Sequence, residues 1–167
     1  MLSHQPFAER IYHGPQLSFL VLNRFEAATV APEMPYAVIS ITDPEREEAA
    51  LAESPNRRAV LRLSFHDKSK ARAATLGKTA MTSADAQTIL GFVQEHRREV
   101  TLIVCQCEAG ISCSAAIAAA LSRIMQGEDS FFFVHYAPND YIYKTLLEAA
   151  GTRNIESPPA PNNGGAR

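Results

Sequence analysis

The sequence predicts an α/β fold with a mainly parallel central sheet flanked by helices. Three observations carry this reading. Apolar, β-branched runs of strand length alternate with segments of helical period, which is the pattern of strands joined by crossover helices. The stretch Thr101–Leu121 is itself such a unit: an apolar run over Thr101–Val104, a short loop, and an alanine-rich helix. The composition of the 167 residues, 46% hydrophobic and 20% charged, is that of one ordinary globular domain with enough chain for a substantial core.

The elements follow in order. Residues 1–15 show little periodicity and read as an extended N-terminal arm. The domain proper is expected over 16–151. Leu17–Leu22 is a first strand, after which Asn23 caps a short helix through Ala31, ended by Pro32 and Pro35. Tyr36–Ile41 is a buried strand stopped by Thr42-Asp43-Pro44, and Glu45–Glu53 is a polar connector with helical character left open. Ala59–Phe65 is a third strand, with Leu61 and Leu63 on one face and Arg62 and Ser64 on the other. The Lys-, Arg- and Ala-rich stretch Lys68–Lys78 reads as a mobile loop. Thr82 or Ser83 then caps a helix to about Arg98 whose apolar side holds Ile89, Leu90 and Val93.

The helix from about Cys113 to Met125 is apolar on nearly every side, as one buried mid-domain is. Helices over Ser130–Tyr136 and Asn139–Ala150 follow, separated by Pro138, with Phe131-Phe132-Phe133 and Tyr136 read as packing. Residues 152–167, rich in Pro, Asn and Gly, read as a disordered tail.

Several function classes are disfavoured. A net charge of −2 does not suggest a nucleic-acid partner or a membrane surface. No apolar run approaches the ~18 residues of a membrane span and no signal-peptide core is present, so the cytoplasm is the expected location. Cys105, Cys107 and Cys113 are too close together for the disulfide framework of a secreted domain. The Cys105-x-Cys107 pair lacks a second pair at ligand spacing, so neither metal nor cofactor is expected.

In parallel sheets ligands bind beyond the carboxyl ends of the strands. Both the Cys107 loop and His66-Asp67 emerge there, which brings these segments together. The unpaired first-turn N–H groups of the helix after Cys107 suit a phosphate or a thiolate.

The loop Cys107-Glu108-Ala109-Gly110-Ile111-Ser112-Cys113-Ser114 resembles the phosphate-binding loop of cysteine-dependent protein tyrosine and dual-specificity phosphatases. Their pattern is His-Cys, five residues, Arg, then Ser or Thr. Gln106 stands in place of the His and Cys113 in place of the Arg. The segments MPYAVISITDP, LRLSFHD, EAGIS and PNDYIYKTLLEAA extend the resemblance over Met34–Gly151, towards a small group of bacterial and phage phosphatase-like proteins.

The resemblance implies a phosphatase-like fold, Cys107 as nucleophile, Asp67 as general acid and Ser114 as the hydroxyl that stabilises the departing thiolate. Glu108, Ala109, Gly110, Ile111, Ser112 and Cys113 are the implied phosphate-binding residues. The implied partner is a phosphorylated protein or a small phosphate ester.

The chemistry needs a thiolate, an acid, loop amides and a guanidinium. A neutral thiol cannot replace the two parallel charge-assisted hydrogen bonds of an Arg. One lost oxyanion donor costs ~10²–10³ in rate, and a charge ~4 Å from the phosphoryl group is worth up to ~4 kcal/mol at an effective dielectric of about 20. The expected deficit is roughly three to four decades. A degenerate loop that binds phosphate with little or no turnover is therefore the leading expectation.

An active phosphomonoesterase using Lys70 or Arg72 as substitute cation is the alternative, and a thiol switch between Cys107 and Cys113 is a weaker one. Plainer roles stand beside these. Cys107 as an inert thiol, Cys113 as a passive replacement, Cys105 as core, Asp67 as a loop cap, and Lys68, Lys70, Arg72 and Lys78 as a solvated loop or a basic rim are all consistent with the residues. His66, His96 and His135 read as structural or solvated.

Overall fold

The computed structural model describes residues 5–151. Its first elements are a single helical turn, α1 (Phe7–Arg10), and a two-residue strand, β1 (Tyr12–His13). The following β2 (Ser18–Leu22) pairs antiparallel with β1, so this part of the arm is folded onto the sheet rather than extended free of it. Burial explains the docking: Arg10 is 4% exposed, donates to the Val21 carbonyl at 3.0 Å and pairs with Glu26.

Asn23 opens α2 (Arg24–Ala27) with a complete capping box, its side chain accepting from Glu26 N–H while the Glu26 carboxylate accepts from Asn23 N–H. The helix stops at one turn, short of the expected Ala31. The β-branched Thr29 and Val30 follow, and Val30 is buried against the sheet instead of continuing the helix.

Next come β3 (Tyr36–Thr42) and β4 (Arg57–Ser64), then α3 (Lys70–Leu76), α4 (Ser83–His96), β5 (Leu102–Gln106), α5 (Cys113–Gln126), α6 (Ser130–His135) and α7 (Asp140–Gly151). One open point is settled and one expectation corrected. The connector Glu45–Glu53 contains no helix; after a turn closed by Arg46 N–H on the Asp43 carbonyl it is irregular, pinned by buried Ala49 and by the Arg62 guanidinium donating to the Ala49 carbonyl. Lys68–Lys78 is largely α3 rather than a loop: Ser69 caps it, accepting from Arg72 N–H, and Gly77 ends it in the left-handed conformation. The tail expected over 152–167 lies outside the described residues.

The sheet order is β1-β2-β5-β3-β4, parallel throughout except for β1. The two-residue period sorts its side chains. Phe19, Val21, Ile39, Ile103 and Cys105 face the larger core with α4, α5 and α7, whereas Leu20, Leu22, Val38 and Val104 face a smaller one with Val30 and Leu51. β5 lies between β2 and β3 and is buried along its whole length. Because β2 to β5 run in parallel, their carboxyl ends open on one edge, where Asn23, Asp43, the 65–67 segment and Cys107 emerge together. No helix among the described residues is long and apolar enough to cross a membrane.

Candidate functional site

The ladder between β2 and β5 runs one residue past the strand, with Cys107 N–H donating to the Leu22 carbonyl at 3.3 Å. The chain then turns back on itself. Gly110 makes the turn at φ 65, and a Cβ there would stand 2.7 Å from Asn23 N and 2.8 Å from the Leu22 carbonyl carbon. Only glycine satisfies both the left-handed backbone and the close approach. The turn aims Gly110 N–H at Cys107 Sγ, 3.3 Å away, and the start of α5 brings Ser114 Oγ to 3.0 Å from the same sulfur.

These neighbours set the chemistry of three cysteines differently. The Cys113 thiol, hydrogen-bonded to Cys107, is the main influence drawing the Cys107 pKa down to about 6. Burial opposes it, and the Ser114 hydroxyl and the Ser114 and Gly110 N–H groups assist. Cys113 itself is held as a neutral thiol, its pKa raised by the same hydrogen bond and by burial. Burial raises Cys105 as well, on the core side of β5. Only Cys107 is poised as a thiolate near neutral pH, and it is 6% exposed.

Asp67 arrives where the strand order places it. Its Oδ1 accepts from Ser112 Oγ at 3.1 Å and from Asn139 Nδ2 at 2.7 Å, while Oδ2 has no hydrogen-bond partner among the described residues. Asn139 also binds the loop through its backbone, N–H to the Ser112 carbonyl at 3.1 Å, and accepts from Ile142 N–H at the start of α7. Asp67 is thus beside the loop and fastened to it. Its neighbour His66 turns away: Nδ1 accepts from Thr79 N–H and Nε2 meets Glu45 at 2.6 Å.

Glu108, the next residue of the loop, is bound by two guanidinium groups. Arg24 holds its carboxylate through Nε at 2.9 Å to both oxygens and Nη2 at 2.7 Å, and Arg46 adds Nη1 at 3.0 Å. The Arg24 hydrogen bonds keep the Glu108 carboxyl below its ordinary pKa. Gln106 is buried on the smaller-core face, accepting from Ser40 Oγ at 2.5 Å, and its Nε2 has no partner among the described residues.

Cys107, Ser114, Gly110, Ser112, Cys113 and Asp67 are therefore brought together. Ala109 and Ile111 complete the loop, with Ile111 half exposed. Lys70 and Lys78 are elsewhere, lining a cavity of about 360 Å³ with Met81, Ser83 and Tyr141. Sequence reasoning missed Arg24, Arg46 and Asn139. The Asn23 cap signalled where α2 starts, but no local signal says that the next residue crosses to Glu108.

No family model and no curated protein matches this chain. Solved structures do. A mouse putative dual specificity phosphatase complexed with zinc tungstate matches at 16% identity over 89% of this chain and 90% of its own, with a TM-score of 0.57. Tk-PTP in its active form matches at 16% over 86% and 98%, TM-score 0.54. PTPMT1 matches at 17% over 84% and 91%, TM-score 0.50. The chain has the fold of the protein tyrosine and dual-specificity phosphatases, with a cysteine-centred loop at the carboxyl end of its middle parallel strand.

Proposed function

We propose that this chain is a phosphatase-like protein that binds a phosphoryl group in the Cys107–Ser114 loop and turns it over weakly or not at all. One observation carries the reading. A thiolate-forming Cys107 is ringed by donors from Gly110 and Ser114, while a neutral, buried thiol, Cys113, stands where the resemblance expects a guanidinium. Loop amides and the start of α5 supply partial positive charge for phosphate oxygens, enough to bind and too little to stabilise the transition state. The ligand class is a phosphorylated protein or a small phosphate ester in the cytoplasm. Tungstate is a tetrahedral oxyanion like phosphate, and its presence with one protein of this fold agrees with that class.

A second reading, a working phosphomonoesterase, is favoured by the position of Asp67 beside the loop with one carboxylate oxygen that has no hydrogen-bond partner among the described residues. In that reading Cys107 attacks phosphorus in line and Asp67 protonates the leaving oxygen.

Hydrolysis of an aryl phosphate under reducing conditions, with Cys107→Ser alongside, separates the two. The binding reading expects turnover no higher than the Ser variant, and Cys113→Arg to raise it by roughly three decades. Wild-type activity abolished in Cys107→Ser would establish the enzyme instead. If Cys113→Arg folds and gains nothing, more than the guanidinium is missing.

A further inference from the structure

The loop lacks a cation of its own, yet two guanidinium groups end on its first residue after the cysteine. They are held very differently. Arg24 opens α2, is part-buried, forks onto both oxygens of Glu108 and also donates to the Glu47 carbonyl. Its fork alone satisfies the carboxylate. Arg46 sits in the segment between β3 and β4, makes one side-chain hydrogen bond to Glu108 at 3.0 Å, and has a side chain 55% exposed. Asp43 and Glu47 also favour the charged form of Arg24, but neither forms an ion pair with it or with Arg46 among the described residues.

We propose that Arg46 is the cation of this site: when a phosphoryl group enters the loop, its guanidinium passes from Glu108 to the phosphoryl oxygens. The proposal rests on the phosphate-binding reading above. Breaking one exposed ion pair costs little, because solvent already screens it. The new partner is a more highly charged anion lodged among oriented N–H groups, where charge-assisted hydrogen bonds are stronger. Glu108 stays neutralised by Arg24 throughout, so no carboxylate is stranded. Arg46 would then add, from a neighbouring segment, one solvent-exposed positive charge to the bound phosphate, which strengthens binding without restoring the buried two-point fork of a guanidinium at position 113. The basic side chains of α3 do not share this position: among the described residues neither Lys70 nor Arg72 makes an ion pair or a side-chain hydrogen bond to the loop.

The test is titration of the full chain with inorganic phosphate, followed by the amide NMR signals of Gly110 and Ser114. Arg46→Ala is expected to weaken binding about tenfold, the loss of one charge-assisted interaction. Arg72→Ala, which removes the same charge from α3, is expected to leave affinity unchanged. Glu108→Gln is expected to tighten binding, since Arg46 no longer has an anion to leave. Wild-type affinity in Arg46→Ala overturns the proposal and leaves phosphate binding standing. A loss confined to Arg72→Ala also overturns it and moves the cation to α3. If the wild-type signals do not respond to phosphate at all, the binding reading fails and this proposal falls with it.

Discussion

Two cysteines two positions apart end β5 in opposite chemical states. Cys105 points into the larger core, where burial disfavours a thiolate. Cys107, one residue past the strand, meets the Cys113 thiol, Ser114 and Gly110 N–H, which together outweigh its burial. Alkylation of native protein should therefore occur at Cys107 first, with a rate that rises with pH and levels off above about 6. Rates that still climb towards pH 9 would show an unactivated thiol. The same depression links to stability. The folded state holds the thiolate below the ordinary cysteine pKa, so the contribution is complete above the unfolded value of about 8.5 and is lost as pH falls through about 6. Urea unfolding of wild type against Cys107→Ser should show a stability difference that grows in favour of wild type from pH 6 to 8.5 and is flat below.

At the scale of elements, the loop is shaped by what surrounds it. Gly110 packs on the turn from β2 into α2, and that turn is fixed by the Asn23–Glu26 capping box. Glu26 in turn pairs with buried Arg10 of α1, so the N-terminal arm reaches the loop through three residues. On the other side Asp67, Ser112 and Asn139 tie the 65–67 segment, the loop and the start of α7 together. Gly110→Ala should cost roughly 2–3 kcal/mol in chemical denaturation, because a left-handed backbone and a clash with backbone atoms add. It should also raise the Cys107 pKa by moving the Gly110 N–H off the sulfur. An unchanged unfolding midpoint would show that the β2–α2 turn can give way.

At the scale of the molecule, α5 is the central post. It packs against β2, β5, α6 and α7, and Ala115 to Leu121 are without exposure. Its alanines let neighbours approach closely, and at its far end Gln126 accepts from Gln16 and Leu17 N–H and donates to the Leu17 carbonyl. The helix thus spans from the loop at one edge of the sheet to the beginning of β2 at the other. Enlarging it should be felt throughout: Ala118→Leu is expected to destabilise the fold by about 1–3 kcal/mol, read from the thermal unfolding midpoint. A neutral result would mean slack packing around α5.

The strand-helix alternation, the cysteine loop and the glycine within it were legible in the sequence because each is written in neighbouring residues: period, caps and a short spacing. Even the meeting of Asp67 with the loop followed from parallel strands sharing one open edge. Other features were not local. Ser69, the alanines and Gly77 were signals enough for α3, but the Lys and Arg between them read as a loop. The irregular path of Glu45–Glu53 and the docking of the arm depend on what they cover, Ala49 and Arg10 being buried against other elements. The convergence of Arg24 and Arg46 on Glu108 joins residues 84 and 62 positions apart. The sequence alone determined which residues the loop contains and how they are spaced. Tertiary structure alone decided which charges surround it, because electrostatic partners are chosen by distance in space and strand order sets that distance.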